Sequence, residues 1–161
     1  MQNLIDRQYF WGRRKLANIT EEEELNELDR YIAKYQKVYL EAMFGKDLSE
    51  DAPEELLELL YDTDTLESPI ADMVYFYHNR DNATVTTQAG EKRLSISNTI
   101  VSSPNEKLVE AWNSMVDFNC DLHVKLHSGS IVIDGIDYDE DILAKISPTH
   151  DIYWKINKYN L

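Results

Sequence analysis

Apolar residues recur at helical spacing in four stretches of this chain, with near-alternating or aperiodic segments around them. In the first stretch Leu25, Leu28, Ile32, Tyr35, Tyr39 and Ala42 fall three or four residues apart, the spacing of one helix face. Thr20 and Glu23 fit a T-x-x-E capping box at its start. Glu21 to Glu24 lay negative charge against the positive end of the helix dipole, and Gly45 can supply a left-handed cap at the far end. A shorter helix opened by Pro53 turns Leu56, Leu57 and Leu60 inward. Ser68 followed by Pro69 reads as an N-cap and first helical position. The helix after it carries Ile70, Met73, Val74, Phe76 and Tyr77, apolar nearly all round, so it belongs in a core or an interface. The fourth helix opens on a second capping box, Ser103 to Glu106, with Pro104 at its first position. It carries Leu108, Trp112, Met115, Leu122 and Leu126, is interrupted by Asn119, and ends near His127 before Gly129.

Between the third and fourth helices, residues 82–102 change character. "ATVTTQ" and "LSISNTIV" are rich in β-branched residues and "AGEK" is a turn candidate, which predicts an extended loop or ragged hairpin. Such a segment inside a small helical domain is as a rule functional or mobile. Residues 1–19 have no helical period. Tyr9, Phe10 and Trp11 stand consecutively before Gly12, which reads as an extended aromatic and basic arm that its own domain or a neighbouring subunit must cover. Residues 129–161 read as an irregular or β tail. Asp134-Gly135 between two apolar runs signals a hairpin. "DEDILAKI" suits one or two helical turns, and the alternation of Ile152, Trp154 and Ile156 suits a terminal strand or a docked tail. The expected architecture is mainly α: one domain over 1–161, about four helices, a long extended or hairpin loop, an N-terminal extended arm and a small mixed C-terminal tail.

Composition supports one core. The 161 residues are 43% hydrophobic. The formal net charge of -14 is unevenly placed: residues 1–20 carry +3, residues 21–72 carry -13 and the remainder carries -4. An acidic first half argues against wrapping nucleic acid, which needs concentrated Lys and Arg. It suits a basic protein partner, or a surface to which DNA does not stick, beside the plain reading of a solvated acidic surface. Cys120 is the only cysteine, so no internal disulfide forms and a reducing site of synthesis fits. The N-terminus lacks the apolar region of a signal peptide and no apolar run reaches bilayer length, so a soluble protein made in the cytoplasm is expected.

Little of the chain points to catalysis. Cys120, His123 and His127 share one helix face, and His-x3-His on a helix can bind zinc. A catalytic zincin needs Glu directly after the first His, where this chain has Val124, and no further ligand is evident. The plain reading is histidines favoured at the negative end of a helix dipole. Asp134, Asp137, Asp139, Glu140 and Asp141 form an acidic cluster that does not match the spacing of a calcium loop, so a solvated turn is expected. There is no G-x-S-x-G, no P-loop and no G-x-G-x-x-G. The expectation is a non-enzyme without a cofactor. Tyr31, Tyr35, Tyr39, Tyr75 and Tyr77 suit either a core or a protein contact, and ten tyrosines in so short a chain favour contact.

The order "LIDRQYFWG", "LANI", "YIAKYQKVYLEAMFGKDL", "SPIADMVYFYHNRDNATVTTQAGE" and "AWNSMVDFN", with the closing "INKYNL", resembles a family of small virion-neck proteins. These are encoded by tailed phages and prophages of gut Bacteroidetes, including crAss-like phages. The resemblance spans roughly Leu4 to Asn119, and its most characteristic pieces are Tyr31–Tyr35, Ser68–Ala71, Thr84–Gly90 and Ala111-Trp112-Asn113. None is a catalytic signature. Gln36 stands where that family has Glu, and Asp134–Asp141 has no counterpart in the pattern. The resemblance implies a head–tail connector or adaptor located in the virion, and in the host cytoplasm during assembly. Its partners would be the portal or adjacent neck and tail proteins, in a ring homo-oligomer through which DNA passes without specific binding. The contact residues so expected are Tyr9, Phe10 and Trp11 in the arm and Thr84, Thr86, Thr87 and Gln88 in the loop. The alternatives are a soluble phage or prophage binding module, such as an assembly factor or regulator, and a small metal-dependent hydrolase using Cys120, His123 and His127.

Overall fold

The computed structural model describes residues 3–16, 19, 21–45, 48, 50, 52–82, 84–87, 90–93, 104–133 and 151–157. Four helices carry them: α1 (Glu22–Phe44), α2 (Glu54–Leu60), α3 (Pro69–Asn82) and α4 (Pro104–His127). Two short strands, β1 (Thr84–Thr87) and β2 (Gly90–Arg93), follow α3. The molecule is mainly helical, as the periodicity predicts.

α3 is the central element and packs against both α1 and α4. Its first two turns, Pro69 to Phe76, are buried throughout, which fits their nearly all-round apolar pattern. α1 buries Leu28, Ile32, Tyr35 and Tyr39 of the predicted stripe with Leu40, Met43 and Phe44 beside them, while Leu25 and Ala42 are half-buried. Gly45 ends it at φ 69°, donating its N–H to the Glu41 carbonyl at 2.9 Å. A left-handed residue at this position needs no Cβ, so glycine is the natural stop. The start lies one residue later than the sequence suggests. Glu21 is the N-cap, and its N–H is accepted by the Glu24 carboxylate at 3.3 Å, so the reciprocal pair is Glu21–Glu24. Thr20 and Ser103 fall outside the described residues. At the head of α3 the Ser68 hydroxyl accepts from the Ile70 N–H at 3.2 Å, as an N-cap should.

The tyrosines belong to packing within the chain. Tyr35 stacks on Tyr77 with ring centroids 4.2 Å apart and planes 4° from parallel, Tyr31 lies 5.7 Å from Tyr35, and Phe76 meets Trp112 at 4.7 Å. This aromatic row joins α1, α3 and α4, while Tyr39 and Tyr75 are buried. Protein contact was the expectation for these residues; helical spacing has instead placed them between helices, where aromatic pairs add to area burial.

Asn119 interrupts the apolar stripe of α4 because it carries a buried polar junction. It is fully buried, its Oδ1 accepts from the Tyr39 hydroxyl at 2.7 Å and its Nδ2 donates to the Ile152 carbonyl at 2.9 Å. Burial pushes the Tyr39 hydroxyl well above its ordinary pKa, so it remains a donor. The same helix holds the closing segment at two further points. The Trp112 indole donates to the Trp154 carbonyl at 2.8 Å. Asn113 brackets Ile156, donating to its carbonyl at 3.0 Å and accepting its N–H at 2.9 Å. Residues 151–157 are thus a docked tail with a short 3-10 turn at Asp151–Tyr153. Asn119→Leu keeps the volume and strands both partners. It should destabilise the protein by about 2–4 kcal/mol, because unsatisfied buried groups carry their full desolvation penalty. Adding Tyr39→Phe should recover part of the loss, and urea unfolding of the single and double variants measures both; a loss below about 1 kcal/mol would mean that the junction is already well solvated.

Candidate functional site

The N-terminal segment departs from the extended arm expected of it. Residues Arg7–Phe10 form a 3-10 turn whose N-cap, Asp6, accepts the Gln8 N–H at 2.8 Å. The turn throws Ile5, Tyr9 and Phe10 to one side, where they join the core with Leu16. Leu4 donates its N–H to Gln36 at 2.6 Å, which accounts for a glutamine inside α1's buried face. Arg7 is fastened to Asp29 of α1, its Nε 2.9 Å from Oδ1. Tyr9 is 5% exposed, and burial raises its pKa to about 12; Phe10 is 1% exposed. These two side chains are therefore covered by their own domain, and do not reach out to a neighbour. Trp11 alone of the three faces outward, at 67% exposure. The three consecutive aromatics looked extended because a single 3-10 turn leaves no period to read.

A pair of arginines after Gly12 completes the fastening. Arg13 bridges two elements, reaching Glu67 before α3 at 2.9 Å and Glu110 of α4 at 3.1 Å. Arg14 is almost wholly buried; its Nε donates to Asp72 of α3 and its Nη1 to Glu110 at 3.3 Å. The guanidinium lies 6.0 Å from the Tyr75 ring centroid. Burial pushes the Asp72 carboxyl up while Arg14 and the Ser114 hydroxyl pull it down. Glu110 is held below its ordinary value, chiefly by its hydrogen bond to Arg13. Sequence reading missed this network. The signal available was Asp72 itself, one carboxylate inside the run Ile70-Ala71-Asp72-Met73-Val74, which demands a buried cation.

The loop candidates lie on a hairpin. β1 and β2 pair antiparallel, with Thr84 opposite Arg93, Thr86 opposite Glu91 and Thr87 opposite Gly90. Gln88 lies outside the described residues, as do the rest of the predicted loop to residue 102, the Asp134-Gly135 turn and the acidic cluster Asp134–Asp141. Among the described residues no third strand joins the pair.

The metal candidates occupy one face of α4. Cys120 and His127 are exposed and His123 is half-buried. The two imidazoles are parallel within 2° with centroids 6.3 Å apart, and the His123 ring meets Tyr153 edge-on at 5.7 Å. Burial, then the proximity of His127, lowers the His123 pKa. Among the described residues no three His, Cys, Asp or Glu side chains converge closely enough to hold a metal ion. His123 serves instead in packing the tail.

Among the described residues the larger apolar side chains left exposed are Trp11, Val38, Val124, Val132 and Trp154. Among the described residues no helix is long and apolar enough to cross a membrane. Compared with known proteins, the chain matches no family model, no curated protein and no solved structure.

Proposed function

We propose that this chain is a non-enzymatic structural component of a phage neck, a head–tail connector or adaptor that assembles into a ring with the portal or adjacent neck and tail proteins. The observation that carries this reading is the hairpin. A two-stranded hairpin is marginal in water on its own, and among the described residues no further strand pairs with either edge of this one. Such edges take up a strand from a neighbouring chain by main-chain hydrogen bonding. The hairpin follows directly on α3, the best buried helix, so a strand docked there is tied to the core of the domain. The exposed Trp11 and Trp154 offer further apolar contact, and the acidic charge of residues 21–72 suits a channel wall along which DNA slides without being held.

The test is quantitative mass spectrometry of purified phage particles from the source of the chain. The protein should be present in copy number comparable to the portal's. Absence from the particles overturns the connector reading and favours an assembly factor or regulator.

A further inference from the structure

Two clefts meet along α2. One, of about 220 Å³, is closed on its far side by residues of α3 and α4. The other is an open cleft of about 610 Å³, lined by α2 and the residues that flank it. Glu58, Tyr61 and Asp62 line both and form the ridge between them. α2 fills the core with Leu56 and Leu60, whereas the apolar side chains of the open cleft, Ala52, Leu57 and Tyr61, are only half-buried. The domain thus covers this apolar surface in part. The rest of the lining is Glu54, Glu58, Asp62 and Thr63, and among the described residues no Lys, Arg or His lines the open cleft.

The carboxylates run along the cleft rather than around a point. Glu58 follows Glu54 by four residues on α2, a rise of about 6 Å, and Asp62 comes four residues later, beyond the helix end. Among the described residues no three His, Cys, Asp or Glu side chains converge to hold a metal ion, so these charges do not share one cation. None of the three enters an ion pair among the described residues, whereas the neighbouring Glu67 and Asp72 are taken by Arg13 and Arg14. Asp62 accepts the N–H groups of Thr65 at 3.1 Å and Asp64 at 2.8 Å, which holds its carboxyl below the usual range. A surface of this charge repels nucleic acid and anionic lipid. It complements a side chain with an apolar stem and a cationic end, which is lysine or arginine. In an extended chain alternate side chains face the same way, about 6.6–6.8 Å apart, close to the rise between successive carboxylates. We propose that the open cleft beside α2 is a docking surface for an extended basic segment of a partner protein, with lysine or arginine at alternate positions. Their stems lie on Leu57 and Tyr61, and their charges meet Glu54, Glu58 and Asp62. The surface is separate from the hairpin and stands independently of the neck reading.

The probe is the acetylated, amidated pentapeptide Lys-Ser-Lys-Ser-Lys, titrated into the full chain at about 20 mM salt, where charge attraction is little screened. Nitrogen–proton NMR follows the Leu57, Tyr61 and Thr63 amides. Saturable shifts at these positions are expected, and a peptide of the same composition with its lysines consecutive should bind more weakly. Glu58 is exposed, so Glu58→Lys leaves the fold intact; it should weaken binding by about fivefold or more, the upper span of an exposed ion pair. Glu23→Lys makes the same change of net charge in the first turn of α1 and should leave binding unchanged. Leu57→Ser keeps every charge and should also weaken binding, because the lysine stems lose their apolar support. Absence of saturable shifts in the parent protein overturns the proposal, as does unchanged binding in Glu58→Lys or in a folded Leu57→Ser variant. Equal weakening by Glu23→Lys and Glu58→Lys overturns it too, by reducing the attraction to net charge. Binding of the consecutive-lysine peptide as tight as that of the alternating one overturns the extended register.

Discussion

Arg14→Met lowers the free energy of unfolding by about 3–5 kcal/mol at neutral pH, the usual cost of removing one partner of a buried ion pair. Methionine retains most of the arginine stem but not the guanidinium over Tyr75, so the lost guanidinium dominates. What remains is the Asp72 carboxylate, 9% exposed, with the Ser114 hydroxyl as its one remaining side-chain partner among those that pull its pKa down, apart from the more distant Arg13. The effect depends on pH with a definite sign. Burial already raises the folded-state pKa of Asp72 against the pull of Arg14, and removing Arg14 raises it further. A carboxyl whose folded pKa lies above its unfolded value favours folding most below the unfolded pKa. That contribution is lost as pH rises through the folded pKa. The deficit of the variant is therefore greatest at neutral and alkaline pH and shrinks on acidification, as Asp72 takes up a proton. Urea unfolding at about pH 7.5 and about pH 5 reads both quantities. Arg14→Met combined with Asp72→Leu should recover most of the stability, since an apolar pair of similar volume can replace a buried ion pair. A deficit below about 1 kcal/mol, or one that does not change with pH, would show that Asp72 reaches water in the folded protein.

The sequence exposes the helices of this fold more readily than its fastenings. Periodicity, Gly45 and Ser68-Pro69 locate α1 and α3 because each depends on residues three or four positions apart. The first cap is misplaced by one residue because Thr20–Glu23 and Glu21–Glu24 share the same spacing, and the usual preference for threonine as N-cap points to the first whereas the helix uses the second. The fastenings join positions far apart in the chain: Leu4 to Gln36, Arg14 to Asp72, Tyr39 to Asn119 and Asn113 to Ile156. None of these has a period. Three of the four leave a trace, as a polar residue inside an apolar stripe: Gln36, Asp72 and Asn119. In all three places the polar side chain marks where a segment outside the helical bundle is held. The N-terminal segment is placed by two of them and the C-terminal segment by the third, so the interruptions carry the tertiary information that the stripes lack. The candidate contact residues divide along the same line. Tyr9 and Phe10 are consumed by the chain's own core, while the backbone of Thr84–Thr87 pairs, among the described residues, with Gly90–Arg93 alone.

On the connector proposal, deleting residues 84–93 should leave the domain folded and abolish its incorporation into particles. β1 and β2 pair with each other, and of the remaining elements β1 lies against α3. The core side chains among the described residues come from the helices, from Leu48 and Ile133 beside them, and from the two terminal segments. A short Gly-Ser linker in its place closes the connection between α3 and α4 at small entropic cost, since loop-closure entropy varies only slowly with length. The melting temperature should thus stay within a few degrees of the parent's, about the shift that a change of 1 kcal/mol produces in a domain of this size. Assembly responds differently. If the hairpin supplies the edge onto which a neighbouring chain adds its strand, its removal takes away the whole row of main-chain hydrogen bonds, and no side-chain contact elsewhere replaces them. Two measurements separate the possibilities: thermal unfolding of the purified variant, and its copy number in particles produced from a genome carrying the deletion. A variant that folds but is missing from the particles supports the hairpin as the assembling edge. One that is incorporated at the parent's copy number moves the contact to other surfaces, with Trp11 and Trp154 next to be substituted. One that unfolds would make the hairpin a structural part of the domain and remove the observation on which the connector reading rests.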